Sequence, residues 1–491
     1  MSSTDTLLMW SPSLFAVVFF FALGAVVGSF LNVVVYRLPR GQGLARPASA
    51  CPACGTPLTW RENIPILGWV FLRGRCRFCR SPISPEYPIV ETVVALLFGG
   101  LVALWCLDPA MLRAIGVDPS AVRPEWAYAG LRRTWPILVL HLWLVGSLVG
   151  ITLIDAKTYL IPLSIPWLAA GLALVAHPLL AAWYAGHGGL LGHHAWFIWT
   201  FEGLGATGLA AGAGLGLVFS IALLRAGILR PSFADYEEWE AGAQRDHDRA
   251  EHDSADGPSA DARVALPVRL LLLTGPALAL MAAGFSIGLR FGFPMRGMLG
   301  GMAVGLLLGL ILRARLGADA SDDASDPAWI RYPHARREMV REIVFLAPAV
   351  ALGALGFVLA RDAGVEPPLW VRALTGSMIG LLAGGGVVWA VRIVGSIAFG
   401  KEAMGLGDVH LMAAVGATLG WVDPVLAFFI APFFGIAWTL LAAVVSLGKH
   451  GRGTALPYGP HLAAATLVMI YAQPLVESAL SMILGRAVHL P

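Results

Sequence analysis

Apolar residues run through this chain in long blocks separated by short polar or Gly/Pro-containing stretches. The windows fall near 12–36, 88–106, 134–154, 160–184, 203–229, 264–288, 294–313, 343–361, 375–398, a short one at 408–421, then 423–447 and 460–485. A helix rising ~1.5 Å per residue needs about 20 apolar residues to cross ~30 Å of hydrocarbon. The pattern therefore predicts an all-α polytopic membrane protein with about 12 hydrophobic helices. An outer-membrane barrel would instead alternate polar and apolar positions over ~10-residue segments. The first block, Leu14 to Tyr36, is too long for a signal-peptide core, follows no Lys or Arg and lacks a small-x-small cleavage site, so it is expected to persist as a helix.

Composition agrees: 57% of residues are hydrophobic and 13% are Asp, Glu, Lys or Arg, against roughly 25% charged in soluble chains. The 57 glycines are spread through the apolar blocks, as expected where helices in lipid associate through small residues. A net charge of +3 gives no concentrated basic face, so no nucleic-acid partner is expected. Where the charges lie is more informative. The loop from Arg37 to Tyr87 carries Arg37, Arg40, Arg46, Arg61, Arg73, Arg75, Arg77 and Arg80, whereas residues 1–11 carry no Lys or Arg. The positive-inside rule puts that loop in the cytoplasm and the N-terminus outside. Counting crossings then places Asp155, the loops 230–263 and 314–342, the Gly400–Asp408 junction and the turn Lys449–Arg452 on the cytoplasmic side. The acid-rich run from Asp235 to Asp261 reads as a solvated, flexible segment.

Four of the five cysteines form Cys51-Pro-Ala-Cys54 and Cys76-Arg-Phe-Cys79. Each CxxC turn brings two thiolates to one side, and two such turns supply the tetrahedral sulfur set that Zn²⁺ favours. Disulfides are disfavoured in a loop placed in the reducing cytoplasm. With all four positions filled the zinc is expected to be structural, folding a small cytoplasmic zinc-knuckle loop that could not bury a core by itself. Cys106 reads as a packing residue.

Two acids stand apart from the polar loops. Asp155 follows the apolar run Leu-Val-Gly-Ile-Thr-Leu-Ile, and Asp408 closes Met404-Gly-Leu-Gly-Asp before another apolar helix. Either alone also reads as an interfacial helix-end residue. Crossing parity, however, places both on one face although 253 positions separate them. Carboxylates within a few ångströms share a proton and titrate as a pair. One can then take a proton from water attacking a peptide carbonyl while the other donates to the developing oxyanion. Gly405 and Gly407 would let an extended substrate approach without Cβ interference.

Several stretches then occur together: Gly28-Ser-Phe-Leu-Asn-Val-Val-Val-Tyr-Arg-Leu-Pro39, the two CxxC pairs, Ile83-Ser-Pro-Glu-Tyr-Pro-Ile-Val-Glu91, and Ile154-Asp155 with Pro162 seven residues on. They continue with Glu402-Ala-Met-Gly-Leu-Gly-Asp-Val-His410, Gly420-Trp421 and Leu456-Pro-Tyr-Gly-Pro460. In these stretches the chain resembles the bacterial type IV prepilin peptidase family, also called leader peptidase/N-methyltransferase. The resemblance implies a multi-pass enzyme of the bacterial inner membrane whose active site faces the cytoplasm. It implies cleavage of the leader of prepilins and pseudopilins after a Gly, then methylation of the new N-terminus with S-adenosylmethionine. The implied partners are those precursors, the lipid bilayer and the assembly proteins of a pilus or type II secretion system. Position by position, the resemblance makes Asp155 and Asp408 catalytic, Gly405 and Gly407 the glycines of a GxGD motif, and Cys51, Cys54, Cys76 and Cys79 the zinc ligands of the methylating half. Asn32, Tyr87, Glu91 and His410 become candidates for a substrate or methyl-donor region. Glu91 equally reads as a helix N-terminal acid, and Asn32 as an interhelical hydrogen-bond contact.

The chain departs from the family pattern in three ways. Leu163 follows Pro162 where many relatives have Asp, His410 stands where Lys is usual, and the chain is nearly twice the usual length. The expected organisation is N-terminal helices with the zinc region at 12–106, the first part of a peptidase bundle at 134–184, a family-atypical insertion with four helices and two polar loops at 185–374, and the GxGD part at 375–485. An even number of inserted crossings leaves Asp408 on the face of Asp155. The competing readings are a peptidase without methylation, and a non-enzymatic transporter or scaffold whose interfacial acids line an ion path.

Overall fold

A computed structural model describes residues 3–186, 196–236, 332–400, 402–445 and 457–490, with 238, 239, 242 and 283. Among these residues, nine helices are long and apolar enough to cross a membrane. They are α1 (Ser3–Arg37), α3 (Glu86–Cys106), α6 (Leu131–Thr158), α7 (Ser164–Gly186), α8 (Leu204–Arg225), α9 (Ala335–Ala360), α10 (Leu369–Phe399), α12 (Val422–Val445) and α13 (Gly459–Leu484). The tenth apolar block is α11 (Leu406–Leu419). The expected spans at 264–288 and 294–313 and the turn Lys449–Arg452 lie outside the described residues.

Hydropathy windows set no element between 106 and 134, yet α4 (Pro109–Ala114), α5 (Pro119–Val122) and a 3₁₀ turn (Glu125–Ala129) form there. They are too short for a membrane-length window, and their signal is local. Asp108 and Asp118 each precede a proline and accept the N–H two residues on, at 2.8 and 3.0 Å, the N-cap followed by Pro at N1. Arg123 then donates to the carbonyls of Leu104 and Leu107 at 3.0 and 2.5 Å, closing the end of α3. A further short helix, α2 (Leu67–Phe71), lies in the cysteine loop.

Glycines decide how closely the long helices meet. A Cβ on Gly24 or Gly28 of α1 would lie 2.7 Å from backbone atoms of α3. On α8, Gly208, Gly212 and Gly216 recur at every fourth position, and a Cβ on Gly212 would lie 2.0 Å from the Leu352 carbonyl oxygen of α9. On α10, Gly380 faces Gly416 of α11 and Gly384 faces Met412, with the corresponding approaches 2.0 and 2.1 Å. Lipid offers no hydrophobic drive for helix association, so bare backbone contact and small-xxx-small spacing supply it.

With 14 residues, α11 reaches only about 21 Å, so its ends fall inside the bundle. Free helix-end carbonyls at that depth must find partners. Ser377 Oγ donates to Ala417 O at 2.6 Å, and His177 Nε2 contacts Thr418 O at 3.1 Å. Trp196 Nε1 donates to His177 Nδ1 at 3.1 Å, which fixes the ring so that Nε2 carries the proton toward Thr418. A short helix starting with the GxGD glycines is thereby held at a defined depth.

Candidate active site and metal centre

Asp155 lies in the last turn of α6 and Asp408 in the first turn of α11, with 5% and 7% of their surfaces exposed. Each carboxylate lies at the start of a helix, that of Asp155 at α13 and that of Asp408 at its own α11. Gly459, the first residue of α13, donates its N–H to the Asp155 carboxylate. Asp408 reaches back to the N–H of Gly405, the N-cap of its own helix, as an acid at the third helical position does in a capping box. Ile161 joins the two arrangements. A Cβ on Gly407 would lie 2.8 Å from Ile161 Cβ, and one on Gly459 would lie 3.4 Å from Ile161 Cδ1 and 2.5 Å from Asp155 Oδ2. The carboxylates are within electrostatic reach of one another. Two acids 253 positions apart in sequence thus lie at one end of the bundle.

The same end of the bundle carries the cysteine loop. Lys157, two residues after Asp155, pairs with Glu86 at the start of α3. The four thiols gather with every Sγ within 4.8 Å of the others, Cys51 to Cys79 at 3.8 Å and Cys54 to Cys76 at 4.0 Å. A disulfide needs ~2.05 Å, whereas a tetrahedron with ~2.3 Å metal–sulfur arms has edges of about 3.8 Å. The four cysteines are positioned to bind a metal ion. The two knuckles repeat one backbone design: Gly55 N–H donates to Cys51 O and Arg80 N–H to Cys76 O, at 2.8 and 3.1 Å, and Gly55 and Arg80 both adopt positive φ. Thr56 holds the Cys54 thiol down at about 6 through its hydroxyl and its N–H, so a thiolate ligand is ready at neutral pH. Glu62 ties the loop together, accepting from Thr59 and pairing with Arg77 at 3.0 Å.

Of the remaining candidates, Asn32 donates to the Tyr87 carbonyl at 3.2 Å, linking α1 to α3, while the Tyr87 side chain is exposed. Glu91 is buried and accepts the N–H of Ile66 at 2.6 Å. Ile66 has φ +63° and ψ −56°, and Leu67 N–H donates to Pro65 O at 2.6 Å. This is a strained γ-turn held by a carboxylate from α3. His410 directs Nδ1 to its own helix at Leu406 O, 2.7 Å away, and packs on Trp167 of α7. Sequence reasoning assigned no role to Tyr458, Gly459 or Ile161, although Tyr458 and Gly459 sit in a motif it singled out. Burial and the neighbouring Asp408 charge push the Tyr458 phenol up to about 12, so it stays a proton donor beside the pair. A separate small cavity, lined by Trp105, Trp126, His141, His177 and Asp423, lies by the end of α3 remote from Glu86 and the C-terminal end of α11.

These features define a multi-pass helical membrane protein with a paired-aspartate site and a four-thiol metal loop. Residues 22–105 match a family model described as the bacterial peptidase A24 N-terminal domain, and residues 344–440 match the type IV leader peptidase family. In those two stretches the chain is similar to that family. It is 45% identical over 168 residues to a prepilin leader peptidase/N-methyltransferase of Myxococcus xanthus, covering 34% of this chain and 42% of the relative. Proteins of the same name from Klebsiella pneumoniae and Aeromonas hydrophila are 38% and 36% identical over 31% and 32% of this chain, with 59% and 53% of their own lengths covered. The chain therefore spans about half the length of these relatives. No solved structure matches it.

Proposed function

We propose that this chain is a membrane aspartic endopeptidase that removes the leader of type IV prepilins or pseudopilins after a Gly and then methylates the new N-terminal residue. The observation that carries the reading is the packing of Gly459, which touches Asp155, and of Gly407, next to Asp408, on the same Ile161 side chain, with Asp155 within electrostatic reach of Asp408. The pair shares one proton. The ionised partner takes a proton from the attacking water, and the protonated partner donates to the carbonyl oxygen as it gains charge. Gly405 and Gly407 keep the approach to Asp408 open for an extended backbone. A precursor with an apolar stem and a basic leader lodges its stem beside the helices and leaves its leader outside the hydrocarbon, so the joining peptide is held at the depth of the aspartates.

In this reading the site faces the cytoplasm across a bacterial inner membrane, as the arginine-rich loop between α1 and α3 favours. Cys51, Cys54, Cys76 and Cys79 hold a structural Zn²⁺, which when bound folds the loop without activating water. S-adenosylmethionine supplies the methyl group, with Asn32, Tyr87, Glu91 and His410 as candidate surroundings of substrate or donor. The peptidase bundle is contributed by residues 134–184 and 375–485, the methylating region by 12–106, and the segment 185–374 is additional. Co-expression with a candidate precursor tests the reading: wild type yields the shortened protein, and Asp155→Asn leaves the precursor intact.

A further inference from the structure

Behind the GxGD loop lies a buried charge cluster that the proposed reaction does not itself use. Arg392 of α10 is 1% exposed, and an arginine keeps its charge in a protein, so its burial demands full compensation. Nε donates to both Glu342 oxygens at 3.1 Å and Nη2 to Glu342 Oε1 at 3.0 Å. Nη1 donates to the Glu402 carboxylate and to the carbonyl of Met404. Trp389 Nε1 fixes the second Glu342 oxygen at 2.7 Å, and the Phe233 ring lies 5.2 Å from the guanidinium carbon.

The Met404 carbonyl and the Gly405 N–H belong to one planar peptide unit. Its oxygen is held by Arg392, and its N–H lies beside the Asp408 carboxylate, whose Oδ2 would stand 3.4 Å from a Cβ on Gly405. Turning that plane would turn the donor away from Asp408, and hydrogen bonds in such a chain polarise one another. Arg392 is in turn held from outside the matched family stretches, since Glu342 and Phe233 fall between residues 105 and 344. Phe233 adopts φ +58° and donates its N–H to buried Glu338 at 2.8 Å. Glu338 also pairs with Arg337 and Arg341, and Arg337 reaches Asp235 at 2.7 Å, which accepts from Tyr332 at 2.6 Å.

We propose that Arg392 is a positioning residue for Asp408, acting through the Met404–Gly405 peptide, and that Glu342 of α9 holds it in place. The kinetic side of this inference rests on the peptidase reading; the structural side does not. The test uses the purified full chain with Arg392→Lys, which keeps the charge and loses the fork, and Glu342→Gln, which keeps the shape and loses the charge. Each should lower kcat for precursor cleavage about 10- to 100-fold with little change in KM. The double variant should be no worse than the poorer single, because both break one linkage. Hydrogen exchange at the Gly405 amide should speed up in both while the rest of α11 stays protected. Wild-type kcat in both singles, additive losses, or unchanged Gly405 exchange would overturn the proposal. If wild type cleaves nothing, the peptidase reading falls, and the exchange comparison still decides the positioning. Should either variant fail to accumulate, Asp235→Asn at the outer end of the linkage takes its place, with Gly405 exchange faster by about 2- to 5-fold and an unchanged rate counting against the proposal.

Discussion

Gly459 and Asp155 are in such close contact that a Cβ at 459 would stand 2.5 Å from the Asp155 carboxylate oxygen. The carboxylate rests on the exposed backbone at the start of α13 and accepts its first N–H. Only a residue without a side chain permits that approach, and Gly459→Ala should push Asp155 away from Asp408. The expected outcome is a loss of about 100-fold in cleavage rate with the helical circular dichroism unchanged. Near-wild-type cleavage would mean that the position of Asp155 does not limit the reaction.

The contact of α10 with α11 makes a second prediction, with a control on the partner helix. A Cβ on Gly416 would lie 2.0 Å from Gly380 O, whereas one on Gly386 meets nothing within 4 Å. Gly416→Ala should destabilise the protein by ~1–3 kcal/mol through overpacking. Gly386→Ala should leave stability unchanged or raise it by roughly 0.5–1 kcal/mol, because a helical glycine is entropically costly. Thermal unfolding in detergent distinguishes the two.

The cysteine loop should behave as a metal-dependent fold. One metal equivalent per chain is expected by elemental analysis, and a strong chelator or Cys76→Ser should open Arg61 and Arg73 to trypsin while the helices remain intact. Zinc restores protection in wild type only. Protection that survives metal removal would show that Glu62, Glu91 and the backbone turns fold the loop unaided.

The attachment of the Phe233 segment to α9 should depend on pH at both extremes. The Tyr332 hydroxyl, followed by Arg337, holds Asp235 down at about 2, and burial, followed by Asp235, pushes Tyr332 up to about 12. A depressed carboxylate contributes stability above its ordinary range, lost as pH falls from ~4 toward 2; a raised phenol contributes below ~10, lost as pH climbs toward 12. A spin label at Glu238 should stay immobile between those limits and loosen outside them. In Tyr332→Phe the acid transition should move to higher pH and the alkaline one disappear.

Much of this architecture is written in the hydrophobic pattern, because membrane helices need unbroken apolar length. Ten of the expected blocks coincide with helices of the described residues, including the short one that became α11. The cysteine cluster was also legible, from local spacing, whereas Asp155 and Asp408 could be linked in the sequence only by a count of crossings. What escaped depends on which helix faces which. Nothing in the local sequence of Glu342 or Arg392 announces their pairing across 50 positions, because a helical period specifies a face and not its neighbour. Glu91 was legible as an acid at the start of α3, but its partner Ile66 is a backbone group in a turn that hydropathy cannot see.

The central claim is that Asp155 and Asp408 together hydrolyse a precursor peptide bond. Its most direct test is the intact mass of products formed when purified protein, reconstituted in lipid with a prepilin precursor, is compared with Asp155→Asn and Asp408→Asn. The account predicts a single cut after Gly in wild type and undetectable cleavage in both variants, each still folded and metal-loaded. Cleavage by either variant at the wild-type rate would contradict it.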